Sequence, residues 1–336
     1  MTVTVVGAGV AGLVCAIKLA VRGHQVEVIE QSQRIDQNAC SWFAGGMLAP
    51  WCESENAEPE VVDLGLPAIE WWDRQFAGVT RRGTLVVSQA RDRADLERFS
   101  RRAKGHSRLN GDQIAELEPD LADRFDQALF FAEEAHLKPR DALAALQKRL
   151  AELGVPIRYD TRLPLAGEGS GPVVDCRGLS ARDRLTDLRG VRGEMLLLRS
   201  PEIRLSRTVR LLHPRFPVYI VPHGDGLFMV GATMIESDSA APISVRSIME
   251  LLGAAIALHP AFGEAEIVET GVGVRPAFAD NFPDVRRDGD TVWVNGLYRH
   301  GYLLAPAMAD RAADMIAAMN DKKETSDADI RQRADA

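Results

Sequence analysis

The chain has 336 residues, 46% of them apolar and 26% charged, with a formal net charge of -8. That length carries a large core and either two domains or one elaborated one. The acidic balance excludes broad attraction to nucleic acid or to an anionic membrane surface, and no run of about 18 apolar residues is present to span a bilayer.

The opening stretch is the most informative. Val3, Val5 and Val6 make a short apolar strand, and Gly7-Ala8-Gly9-Val10-Ala11-Gly12 follows directly. A mostly apolar helix comes next, stopped by Gly23, and a second strand from Val26 to Ile29 ends at Glu30. Strand, glycine turn, helix, strand and terminal acid together form the unit that binds dinucleotides. Gly7 allows the tight turn, Gly9 lets backbone approach a pyrophosphate, and Gly12 lets helix and strand pack closely. The helix N-terminus offers unpaired N–H groups to phosphate, and Glu30 is placed to accept from a ribose. The motif alone does not separate FAD from NAD.

Further along, Ser41 to Pro50 mixes small residues, paired glycines and aromatics, as expected where backbone passes a large flat group. The stretch from Trp51 to Pro59, with Glu53, Glu55 and Glu58, reads as an exposed acidic loop. Glu60 to Phe76 reads as a helix that Pro67 kinks or restarts. A strand over Arg82 to Ser88, an Arg-rich helix over Asp92 to Lys104 and a short helix over Asp112 to Leu117 follow. Ala128 to Glu133 is a strand. Lys138-Pro139-Arg140-Asp141 opens a helix that ends at Gly154. Val155 to Tyr159 and Pro172 to Cys176 are further strands.

From Val191 the pattern turns to short apolar strands: Met195–Leu198, Thr208–Leu212, Val218–Val221 and Leu227–Val230. A helix over Ile243 to Leu258, strands over Ile267 to Val274 and Thr291 to Val294, and a helix from about Leu303 towards Met319 complete the chain. The tail from Asp321 is polar and reads as frayed or disordered. The four cysteines (Cys15, Cys40, Cys52, Cys176) show no CxxC and no metal spacing, so they read as free thiols in a reducing compartment. With the first strand starting at residue 2 or 3, no signal peptide is read and a cytoplasmic location is expected.

Five segments then point to one family: AGGMLAP from Ala44, YIVP from Tyr219, VGATM from Val230, GVRP from Gly273 and HGYLLAP from His300. With the first motif, they make the chain resemble the FAD-dependent D-amino-acid oxidase family, and within it the glycine oxidases of bacterial thiamine biosynthesis, from residue 1 to about 318. The resemblance implies an α/β fold: a Rossmann-like FAD-binding domain (βαβ) with a second, mostly antiparallel β substrate domain. The division implied is 1-78, 137-190 and 271-320 for a discontinuous FAD-binding domain, 79-136 and 191-270 for the substrate domain, and 321-336 for a flexible tail.

The resemblance also assigns residues. Gly7, Gly9, Val10, Ala11, Gly12 and Glu30 would hold the ADP half of a non-covalently bound FAD. Ser41, Ala44, Gly45, Gly46 and Met47 would lie along the pyrophosphate and flavin, and Val174 and Cys176 near the adenine. Arg299, His300, Gly301, Tyr302 and Leu303 would face the flavin's pyrimidine edge at the start of the last helix. Arg275 would bind the substrate carboxylate with Tyr219. That fits the chemistry of a planar guanidinium, which offers two parallel donors to a carboxylate. Arg299 would be a second pocket arginine and Met234 would limit side-chain room. Pro217 stands where such glycine oxidases often carry histidine, and Trp42 and Phe43 replace smaller residues.

The implied reaction is oxidative deamination of glycine, or of a similar small amine or D-amino acid. A hydride passes to flavin, dioxygen is reduced to hydrogen peroxide, and the imine feeds thiazole synthesis for thiamine. The alternatives are a D-amino-acid or sarcosine-type oxidase or dehydrogenase with another acceptor, or a non-catalytic flavin-binding protein. The implied partners are a small amino-acid substrate and dioxygen, with no nucleic acid and no membrane. Homo-oligomers are common in the family, so a homo-oligomer stands open.

Overall fold

The computed structural model describes residues 2–35, 38–55, 58–162, 171–213 and 217–334, with side chains of the last helix described as far as Met319. Two large sheets organise the described residues. The first has the spatial order Asp284–Asp288, Thr291–Asn295, Val173–Asp175, Thr2–Val6, Gln25–Ile29 and Ile157–Arg158. It is parallel except for the hairpin at residues 284–295. Val3, Val5, Val6, Val26, Val28 and Ile29 are all buried, as a parallel sheet covered on both faces requires. The helix Val10–Val21 packs between that sheet, the helix Pro139–Glu152 and the final helix Gly301–Ala334.

The second sheet has the order Ile235–Glu236, Arg189–Arg199, Leu227–Gly231, Val218–Pro222, Thr208–Leu212, Thr84–Ser88, Gln127–Phe131 and Ser107–Asn110, with Glu266–Ala277 also pairing with Arg189–Arg199. Its pairings are antiparallel except for Thr208–Leu212 against Thr84–Ser88. Side-chain alternation divides its faces. Leu196, Leu198, Ile220, Phe228 and Val230 pack in one apolar cluster with Leu251 and Leu258 of the helix Val245–Leu258. Met195, Leu197, Tyr219, Val221 and Met229 form another cluster, joined by Phe43 and Met47. The second cluster is where the two halves of the molecule meet.

The α/β architecture, with a dinucleotide-binding unit beside a mostly antiparallel sheet, is the one read from the sequence. Several local readings are corrected. The stretch expected as an exposed acidic loop opens with a helical turn, Pro50–Glu53, and Glu53 is buried. The helix Glu60–Gln75 continues through Pro67 as one element, so Pro67 does not begin a second helix. Strands Ser107–Asn110 and Asp284–Asp288 were not anticipated. Both lie at a sheet edge, where a polar strand shows no apolar alternation. Apart from these corrections, the strands Arg189–Arg199 and Glu266–Ala277 run through the expected domain boundaries at 190/191 and 270/271, which leaves the division itself as an expectation. The tail expected from 321 lies outside the residues whose side chains are described, while its backbone continues the helix to Ala334. No helix among the described residues is long and apolar enough to cross a membrane.

Candidate active site

A cavity of about 830 Å³ runs from the first glycine turn to the meeting of the two sheets. At its first end, Gly7 takes a φ of +95°, in the region that favours glycine. A Cβ on Gly7 would stand 2.8 Å from the Cys176 carbonyl oxygen. The Val10 N–H, in the first turn of the helix, donates to Ser41 Oγ at 3.1 Å. Glu30 Oε2 accepts from the Ala8 N–H at 2.7 Å and its Oε1 from Ser32 at 2.9 Å. The carboxylate therefore ties the turn to the end of the second strand while still lining the cavity.

Gly9, Val10, Ala11, Ser41, Ala44, Gly45, Gly46, Met47 and Cys176 also line it. Two expected residues do not. Val174 is buried in the core one strand step before the end, paired in register with Val5. Of the two, Cys176, past the strand, reaches the carboxyl-terminal edge where ligands bind in such sheets. Gly12 lies beneath the turn: a Cβ there would stand 1.8 Å from the Gly7 carbonyl oxygen. Its part is to let the helix close under Gly7.

The middle of the cavity is walled by the loop at 40–47 and by the start of the final helix. Arg299, His300, Gly301, Tyr302 and Leu303 all line it. The first amides of that helix lack intrahelical acceptors by construction. Tyr302 Oη donates to the carbonyls of Ser41 and Pro139 at 3.1 and 3.2 Å, which joins helix and loop. Trp42 turns away from the cavity, with the Arg140 guanidinium 4.7 Å above its ring. Phe43 faces in, and a Cβ on Gly271 would stand 2.3 Å from its ring.

The far end is the second sheet's inner face. Tyr219, Gly231, Met195 and Gly271 form one row across four strands. Gly193 and Gly273 are partners in a neighbouring row. These glycines leave a floor without side chains. Arg275 lies over it: a Cβ on Gly193 would stand 2.1 Å from Arg275 Nη2. Arg275 Nη1 donates to the Thr233 carbonyl at 3.1 Å, and no carboxylate pairs with this arginine among the described residues. Burial, and then neighbouring Arg299, lower its pKa from the ordinary value.

Arg299 differs. Its Nε and Nη2 grip both oxygens of Glu53 at 2.8 and 2.9 Å. Tyr219 Oη donates to the same Glu53 at 3.1 Å. Burial opposes ionisation of Glu53, but Arg299, His300 and Arg210 hold its pKa at about 2. Burial also lowers His300 to about 4, so the imidazole is neutral at pH 7, with its Nδ1 3.5 Å from Glu53. Met234 lies at the rim, half exposed, with Arg299 Nη1 3.5 Å from its sulfur. Sequence reasoning missed Glu53, Gly193 and Gly231. Pro217 and Cys40 line the cavity as well.

A family model for FAD-dependent oxidoreductases, the DAO family, matches residues 2–315. The chain belongs to this family. It is 56% identical over 317 residues to a Rhizobium etli protein assigned as the thiamine biosynthesis oxidoreductase ThiO, covering 93% of this chain and 95% of that one. It is 28% identical to a glycine oxidase of Geobacillus kaustophilus, covering 96% of this chain and 94% of the relative. The crystal structure of glycine oxidase from Geobacillus kaustophilus shares the fold, with a TM-score of 0.80 at 24% identity, covering 94% of each chain.

FAD is the cofactor of this oxidoreductase family, and the residues present fit it. The volume is at the upper end of ligand cavities. The first turn excludes Cβ atoms at Gly7, as close backbone approach to a pyrophosphate demands. Two helix N-termini open onto the cavity, at Val10 and at Gly301.

Proposed function

We propose that this FAD-dependent enzyme oxidises glycine, or a similarly small amine or D-amino acid, to its imine. The observation that carries the reading is the contrast between two buried arginines. Arg299 is neutralised by Glu53, whereas Arg275 has no carboxylate partner among the described residues and lies over a glycine floor. A small carboxylate is the ligand that such a site lacks.

Bound FAD would supply the two-electron acceptor for the Cα hydride. Gly7, Gly9, Val10, Ala11 and Glu30 would hold its ADP half without a covalent link, and Gly12 would keep the turn closed. Ser41, Ala44, Gly45, Gly46, Met47 and Cys176 would flank the rest, with the amides of Gly301 to Leu303 aimed at the flavin. Arg275 would take the substrate carboxylate by two parallel N–H donors. Tyr219, its hydroxyl held by Glu53, would wall the pocket beside that carboxylate. Orientation of this kind is the larger part of what a flavoenzyme's protein contributes. Phe43, Met195, Met229 and Met234 would bound the space around Cα, which favours a substrate with little or no side chain. No side chain is needed as a general base if the substrate binds as the neutral amine.

Dioxygen would take the electrons, giving hydrogen peroxide, and the imine would pass to thiazole assembly in thiamine biosynthesis. The assignment of the Rhizobium etli relative supports that last step. We further propose that segments 1-78, 137-190 and 271-320 serve the cofactor, that 79-136 and 191-270 serve the substrate, and that the enzyme works in the cytoplasm. The test is the visible spectrum of the FAD-loaded protein without oxygen, before and after glycine. Bleaching that air reverses, with peroxide formed, supports the reading. A flavin band that glycine, sarcosine and D-alanine all leave unchanged refutes it.

A further inference from the structure

Behind the cavity wall lies a buried polar cluster with no part in the scheme above. Glu134, between strands Gln127–Phe131 and Ala135–His136, is fully buried. Its Oε1 accepts from the Cys52 N–H at 2.7 Å, and its Oε2 has no partner among the described residues. On the other side of Cys52, Arg210 Nη1 donates to the carbonyl at 2.9 Å. Arg210 is also buried. Its guanidinium lies over the rings of Phe99 and Tyr219 at 4.8 and 5.0 Å, and its Nη2 donates to Glu55 at 2.7 Å.

Both backbone polar groups of Cys52 are thus gripped by buried side chains, one from a strand and one from a turn between strands. The next residue is Glu53, which holds Arg299 and Tyr219. Its helix, Pro50–Glu53, is one turn long, and a single turn does not fix a side chain by its own hydrogen bonds. The grip must come from outside the turn.

We propose that Glu134 is a positioning residue of the substrate pocket: through Cys52 it sets the Glu53 carboxylate, and with it the seating of Arg299 and Tyr219. The inference rests on the carboxylate-pocket reading of Arg275 and Tyr219. Glu134 touches neither substrate nor cofactor in this scheme, and the apposition of an acidic side chain to a backbone N–H is all that it needs.

The test uses the FAD-loaded full chain and acetate, a minimal carboxylate, titrated against the flavin band, with the thermal midpoint recorded in parallel. E134A leaves the Cys52 N–H buried without an acceptor and is expected to weaken acetate about tenfold. E134Q keeps an acceptor oxygen at the same reach and is expected to stay within about threefold of wild type. An E134A protein with a lowered midpoint and wild-type acetate affinity overturns the proposal, since Glu134 would then serve the fold alone. An equal loss in E134Q overturns the hydrogen-bond account. Should E134A not fold, E134D, shorter by a methylene, is read by the same criterion. A wild-type holoenzyme that does not bind acetate refutes the carboxylate pocket itself, and this inference with it.

Discussion

Gly193→Ala separates the substrate anchor from everything else in the molecule. A Cβ at this strand position would lie 2.1 Å from Arg275 Nη2, 2.4 Å from Cζ and 2.9 Å from Nη1. Non-bonded contact requires about 3.5 Å, so the guanidinium must withdraw by roughly 1.4 Å at its nearest atom. The atoms in the way are the far end of a flexible side chain, so the fold should lose about 1 kcal/mol, the low end for an inserted methyl group. The anchor, however, would no longer present two parallel donors at the right place. A misplacement of about 1 Å costs on the order of 10²-fold in rate, which is about 2.7 kcal/mol in the transition state. The assay is kcat/KM for glycine, with FAD content and thermal midpoint as controls. An alanine variant with full FAD and kcat/KM within threefold of wild type would refute Arg275 as the carboxylate anchor.

Gly12→Ala sets a Cβ 1.8 Å from the Gly7 carbonyl, backbone that cannot swing aside. The purified variant should carry little FAD, and a full flavin-to-protein ratio would contradict the packing argument. Phe43→Ala removes the ring that stands over Gly271 at the cavity wall. It should raise kcat/KM for D-alanine relative to glycine by about tenfold, the usual worth of room for one methyl group; an unchanged ratio removes Phe43 from substrate selection. A pH test concerns Glu134, raised by burial from 4.5 to about 7 against the opposing Cys52 hydrogen bond, with Glu53 adding to the rise. The folded chain holds this proton more tightly than the unfolded one. The stability it contributes is therefore full below about pH 4.5 and lost as the pH rises through 7, on the order of 3 kcal/mol. Urea unfolding of wild type and E134Q at pH 4.5 and 8 should show their difference shift by that amount, and a constant difference would rule the buried acid out.

What could be read beforehand depended on how local the signal was. Gly7, Gly9, Gly12 and Glu30 fall within one strand–helix–strand unit, so their spacing carries their geometry. Arg275 and Tyr219 came from short distinctive segments, and both line the cavity. Glu53 offered no such signal. It sits in a stretch rich in acids, and what buries it is Arg299, 246 residues away. Nothing near Glu53 in sequence announces that pairing. Val174 was misplaced by the length of a strand that ends at Asp175, before the cavity begins. The glycine floor at Gly193, Gly231, Gly271 and Gly273 was illegible because it exists only in the register of three paired strands.

The first sheet places Val173–Asp175 between Thr2–Val6 and Thr291–Asn295. The phosphate turn is therefore flanked by segments that lie far downstream of it in sequence. A nascent chain that has emerged only past the first helix has the glycines but not Cys176 beside them, nor the Gly301 helix across the cavity. Such distant pairings form late and slowly. Cofactor capture would thus depend on these distant segments being correctly threaded together. Because FAD would bind only that closed arrangement, it also draws the folding equilibrium towards it by mass action. The supply of flavin would then set not only how much of the enzyme is active but how much of it persists.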